Sequence, residues 1–100
     1  MINGDVKEFV NNLDFEHQAV IYNGHKLFFE GVIYYNNHEG KDKYNFEIYQ
    51  YSLDEIYEKD LFSVWCDSSS KCIEKFIQAP IFDGKTFWEV EQTMEQIDAF

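Results

Sequence analysis

Apolar residues at Val6, Phe9, Val10 and Leu13 stand at the i, i+3, i+4, i+7 spacing of one helix face, with Lys7, Glu8, Asn11 and Asn12 between them. The spacing predicts an amphipathic helix over 4–13, capped by Asn3 or Asp5. From Gln18 to Tyr22 and from Lys26 to Tyr35 β-branched and aromatic residues dominate. Between them stands Asn23-Gly24, a dipeptide that accepts the positive φ angles of a type I′ turn. An antiparallel hairpin is expected. Polar, glycine-punctuated Asn36 to Lys43 separates this from a further strand pattern at Tyr44 to Tyr51, a second and longer hairpin. Ser52 to Asp60 sets Asp54, Glu55, Glu58 and Asp60 around Leu53 and Ile56 and reads as a loop with at most one helical turn. Leu61 to Cys66 then reads as a fourth strand.

Alternation divides the second strand into Leu27, Phe29, Gly31, Ile33 and Tyr35 on one side and Phe28, Glu30, Val32 and Tyr34 on the other. The third divides into Tyr44, Phe46, Ile48 and Gln50 against Asn45, Glu47, Tyr49 and Tyr51. Ser68-Ser69-Ser70 is a capping segment, and Cys72, Ile73, Phe76 and Ile77 form one face of a helix over 70–78 that Pro80 prevents from continuing. Thr86 and Glu89 have capping-box spacing, and Phe87, Val90, Met94 and Ile97 extend a helical period, predicting a third helix over about 87–98. A rival reading folds Ile81 to Phe87 into a small hairpin over Asp83-Gly84 and shortens that helix by a turn. The expected architecture is a single α+β domain over 1–100, in the order α-β-β-β-β-α-α. It has a four-stranded antiparallel meander, helices on one face and the other face partly open.

Composition sharpens the functional expectations. A hydrophobic fraction of 45% with 19% aromatic residues suits a folded core, while 19 acidic against 8 basic residues leave a net charge of −11 with no arginine. That charge repels phosphate backbones and anionic lipid, so direct nucleic-acid binding and membrane association are not expected. It serves solubility or attracts a basic protein partner. No basic-then-apolar leader opens the sequence and no apolar run reaches the roughly 20 residues that span a bilayer, so a cytoplasmic location is expected. Cys66 and Cys72 lack C-x-x-C spacing and read as reduced thiols. Usage of Asn, Lys, Ile, Tyr and Phe without arginine suggests coding from an AT-rich bacterial genome.

Chemistry-bearing motifs are not found. His17, His25 and His38 have no metal-ligand spacing, Ser68-Ser69-Ser70 has no nucleophile elbow, the five glycines form no phosphate loop, and Asp54 to Asp60 lacks the calcium-loop pattern. Catalytic, cofactor-binding and metal-binding residues are accordingly not assigned, and a non-enzymatic protein is expected. On the third helix Glu91, Glu95 and Asp98 stand at i, i+4 and i+7, a row of like charges fit to dock a basic partner. Together with Asp54, Glu55, Glu58, Trp88, Tyr49 and Tyr51 they form the candidate interaction surface. In size and charge only, the chain resembles the short acidic anti-restriction and anti-CRISPR proteins of mobile elements, which implies an inhibitor or nucleic-acid mimic. Two alternatives stand beside it. One is a small-molecule or catalytic pocket between the aromatic sheet face and the helices, using Glu30, Glu47 or His17. The other is a homo-oligomer, such as a dimer, with no dedicated ligand.

Overall fold

Two tight turns with paired positive φ angles set the course of the chain in the computed structural model, which describes residues 17–34 and 43–98. In the first, Asn23 (φ 50°) and Gly24 (φ 77°) join β1 (Gln18–Tyr22) to β2 (His25–Tyr34). β3 (Lys43–Tyr51) and β4 (Tyr57–Cys66) follow, then α1 (Ser69–Gln78). In the second turn, Asp83 (φ 56°) and Gly84 (φ 83°) let Phe82 and Lys85 exchange two backbone hydrogen bonds of 3.0 Å. α2 (Phe87–Val90), a 3-10 turn (Glu91–Thr93) and β5 (Glu95–Ile97) complete the described chain. Every strand pairing is antiparallel, in the order β4-β3-β2-β1-β5.

The sheet therefore has five strands, not four, and the helix expected over 87–98 ends at Val90. Phe87, Val90 and Met94 are all buried, as their periodicity demands, but the chain reaches Met94 through the 3-10 turn and leaves it extended. Glu95, Gln96 and Ile97 then pair with Ile21, Val20 and Ala19, and Gln96 Nε2 donates to Gln18 Oε1 at 2.9 Å. Burial of the same stripe leaves the backbone of β1 its second partner, whereas a continued helix would have left that edge open and aligned Glu91, Glu95 and Asp98 as like charges. The rival hairpin over Asp83-Gly84 is present, and the capping box survives beside it: Glu89 Oε1 accepts from Thr86 N at 3.0 Å. The fourth strand begins four residues earlier than its pattern suggests, at Tyr57. The helix expected over 4–13 lies outside the described residues, and the α+β class stands.

Both helices pack on the face made by Val20, Leu27, Phe29, Tyr44, Phe46 and Ile48. Ser68 caps α1 through Lys71 N, and the buried Cys72 and Phe76 press inward beside Ile73 and Ile77. Phe76 is the centre: its ring lies 5.3–6.2 Å from those of Phe29, Phe46, Phe62, Phe82 and Phe87. Cys72 Sγ approaches the Tyr44 carbonyl at 3.5 Å, and burial pushes its thiol up to about 12. That thiol is an inert part of the core.

Phe76→Ala is expected to lower unfolding free energy by about 3–5 kcal/mol in urea denaturation, since one cavity would open against five rings. A loss below about 1 kcal/mol would show that the rings do not depend on it. Glu89 is held below its ordinary value, first by the Thr86 backbone N–H, so its contribution is complete above the ordinary carboxylate range and is lost as pH falls through the lowered value. Thermal melts of Glu89→Gln and the parent should accordingly differ at pH 7 and draw together as the pH falls below the ordinary carboxylate range.

Candidate interaction surface

The connection between β3 and β4 is a short loop, 52–56, closed by its own serine. Ser52 N donates to the Ile56 carbonyl at 2.8 Å, Glu55 N to the Ser52 carbonyl at 2.9 Å, and Ile56 N to Ser52 Oγ at 3.1 Å. Glu55 takes φ 66°, a left-handed conformation that costs a non-glycine residue about 1 kcal/mol and that these bonds offset. So ordered a backbone turns its apolar side chains outward: Leu53, Ile56 and Tyr57 are 52%, 66% and 53% exposed. Tyr51 meets Tyr57 edge to face at 5.8 Å.

Carboxylates ring this tip. Glu55 reaches Lys26 Nζ at 2.9 Å, and Glu58 Oε1 meets His25 Nδ1 at 2.7 Å and accepts from Gln50 Nε2 at 3.3 Å. Both acids thus brace the loop against the first residues of β2. The Tyr57 hydroxyl donates to Asp60 at 2.6 Å, the main reason its pKa lies above the ordinary tyrosine value. Asp54 is exposed within the turn itself.

Of the residues singled out by sequence, Asp54, Glu55, Glu58 and Tyr51 gather here. Leu53, Ile56 and Tyr57 complete the surface without having been chosen. Their signal was an apolar pair among four carboxylates with no period that would bury it. The row of Glu91, Glu95 and Asp98 does not form, because the three residues occupy a 3-10 turn, a strand and the residue after it. Glu91 also turns one carboxylate oxygen inward. Trp88 is half exposed and leans edge-on against Phe87 at 5.4 Å, apart from the tip.

Tyr49 lies on the sheet face opposite the helices, stacked on Phe28 at 6.5 Å, and its hydroxyl donates to Glu47. Burial first, then Glu47, Glu30 and Asp60, raises its pKa. Glu30 and Glu47 are direct cross-strand partners on this same face and the His17 ring lies tilted against Phe28 at 5.1 Å, so these three do not converge between sheet and helices. The helix side is filled by phenylalanine rings instead. A separate open cleft of about 170 Å³ lies at the sheet end, floored by Leu61, Ile81 and Phe82 and walled by Tyr22, His25, Gln50, Lys59 and Asp83. Tyr22 donates to Asp83 across it at 3.2 Å. Among the described residues no cluster of His, Cys, Asp or Glu would hold a metal ion, and no helix is long and apolar enough to cross a membrane.

No family model matches this chain, and no curated protein or solved structure resembles it.

The outward side chains of the tip should be dispensable for folding. Leu53→Ser with Ile56→Ser is expected to shift unfolding free energy by less than about 0.5 kcal/mol per site. Ser52→Ala, which removes the hydroxyl that holds Ile56 N, should cost about 0.5–1.5 kcal/mol. Urea titrations of both variants decide it: a large loss in the first would mean that the tip is packed rather than presented.

Proposed function

We propose that this chain is a non-enzymatic protein-interaction domain that docks a basic partner protein through the tip of the β3–β4 hairpin, in a cytoplasmic setting. The carrying observation is the exposure of Leu53, Ile56 and Tyr57 on a hydrogen-bonded loop bordered by Asp54, Glu55, Glu58 and Asp60. An ordered loop has already lost the conformational entropy that binding would otherwise cost, and apolar centres with a charged rim are how interface energy is distributed. The acidic rim steers lysine- or arginine-rich surfaces toward the apolar centre and repels nucleic acid and other acidic proteins.

A second reading rests on the cleft beside Phe82, where Tyr22, His25, Lys59 and Asp83 offer donors and acceptors over an apolar floor. Its 170 Å³ falls below the roughly 300–1,000 Å³ of ordinary small-molecule sites, so it suits only a ligand of a few heavy atoms. The tip presents more apolar surface, and we prefer it.

Affinity capture from the source cells at about 50 mM and 300 mM salt, with the parent chain and with Ile56→Ser/Asp54→Lys, tests the reading. A basic protein retained by the parent, weakened at high salt and lost by the variant is the expected result. Equal retention by both chains, or a partner that is itself acidic, would overturn it.

A further inference from the structure

The outer edge of β4 is guarded along only half its length. β4 closes one side of the sheet with ten residues, whereas the opposite edge is the three-residue β5. In its first half the pairing with β3 is interrupted twice: Ile48 opposes Phe62 but Tyr49 opposes Asp60, which leaves Leu61 extra. Gln50 opposes Lys59 but Tyr51 opposes Tyr57, which leaves Glu58 extra. Those irregularities, with the charges of Glu58, Lys59 and Asp60, are the devices by which an edge resists further pairing. From Phe62 to Cys66 the register runs unbroken, with Phe62-Ser63-Val64-Trp65 free of charge and of proline. Ser63 is exposed and Trp65 is 52% exposed, and among the described residues β3 is the partner of this half and nothing pairs with its outer side.

The surroundings select what can pair there. Asp60 and Asp67 bracket the segment, and Glu47 stands one strand in, accepting from Ser63 Oγ at 3.3 Å. Trp65 lies 5.1 Å from Tyr34, a half-exposed two-ring platform on the same sheet face as Ser63 and Glu47. Backbone hydrogen bonds hold any added strand alike, and the side chains beside it decide its sequence. A second copy of this chain brings a further charge of −11, whereas a cationic side chain opposite Ser63 would find Glu47, and a neighbour two residues along would find the indole face.

We propose that Phe62–Cys66 accepts, as a sixth strand, an extended lysine- or arginine-bearing segment of a partner protein. This rests on the reading of the chain as a docking domain for a basic protein, and it adds the mode of binding: main-chain pairing along the half of β4 that lies farther from the apolar tip.

Backbone amide hydrogen exchange, followed by NMR, tests it with a defined probe, a ten-residue peptide alternating lysine with valine, against its glutamate counterpart. With the lysine peptide, the outward-facing amides of 62–66 should slow by at least about tenfold, with no change for the glutamate peptide. Ser63→Lys, an exposed substitution that puts a charge on the edge, should abolish the slowing while leaving the unliganded spectrum folded. Slowing that grows with protein concentration in the absence of peptide would identify a second copy and overturn the proposal. Shifts confined to Leu53–Tyr57 with unchanged exchange at 62–66 would refute the edge and spare the tip. Silence at both would remove both.

Discussion

The ring of Phe76 is the point on which the other elements depend. It touches the sheet through Phe29, Phe46 and Phe62, the small hairpin through Phe82 and the last helical turn through Phe87. α2 has only four residues, too few to be stable in water, so it persists because Phe87 and Val90 are buried against rings that Phe76 holds in place. The rings of Phe29, Phe46, Phe62, Phe76, Phe82 and Phe87 are therefore structural. Interlocked rings fill a small core with few residues, and a domain of this length has little core to spare.

Satisfaction of sheet edges is the second constraint, and the two ends of the sheet meet it differently. On the β1 side the chain itself returns as β5 and ends the sheet with three residues, a short edge that offers little template. On the β4 side bulges and three charges protect the first half alone. The contrast has a topological origin. β4 leads directly into α1, which crosses back over the helix-bearing face, so no later segment among the described residues returns to its outer side.

Electrostatics organises the remaining surface. With 19 acidic and 8 basic residues most carboxylates must go without a basic partner, and the structure spends Lys26 and His25 on Glu55 and Glu58, which ties the β3–β4 loop to the beginning of β2. Exposed pairs of this kind contribute about 0.2–1 kcal/mol each, so their effect is to orient the loop more than to stabilise the fold. Tyrosine hydroxyls satisfy others, as in Tyr57 with Asp60 and Tyr49 with Glu47. Leu53 and Ile56 are left facing water on a loop that is ordered around them.

Local chemistry made much of this legible in advance. Asn23-Gly24 and Asp83-Gly84 specify their turns because few dipeptides accept two positive φ angles, and the serine cap, the Cys72/Phe76 stripe and the Thr86–Glu89 box act within a few residues of themselves. Strand alternation likewise separated Phe46 and Ile48 from Tyr49 on β3, and Phe29 from Phe28 on β2, and the structure buries Phe29, Phe46 and Ile48. Residues 94–97 escaped such reasoning, because burying Met94 is equally possible from a helix or from an extended chain, and the choice fell to the unpaired edge of β1 some 75 residues away in sequence. The acidic row disappeared with that helix. The acids of the tip were legible, but the exposure of its apolar residues was not: whether Leu53 and Ile56 are buried depends on what the sheet places beside them, and β3–β4 pairing carries them beyond the core. What the sequence determined alone was the turns, the caps and the division of β2 and β3 into two sides, all short-range properties. The fifth strand, the half-guarded edge and the presented tip were decided by tertiary structure, because each is settled by a backbone partner or a neighbour that lies far along the chain.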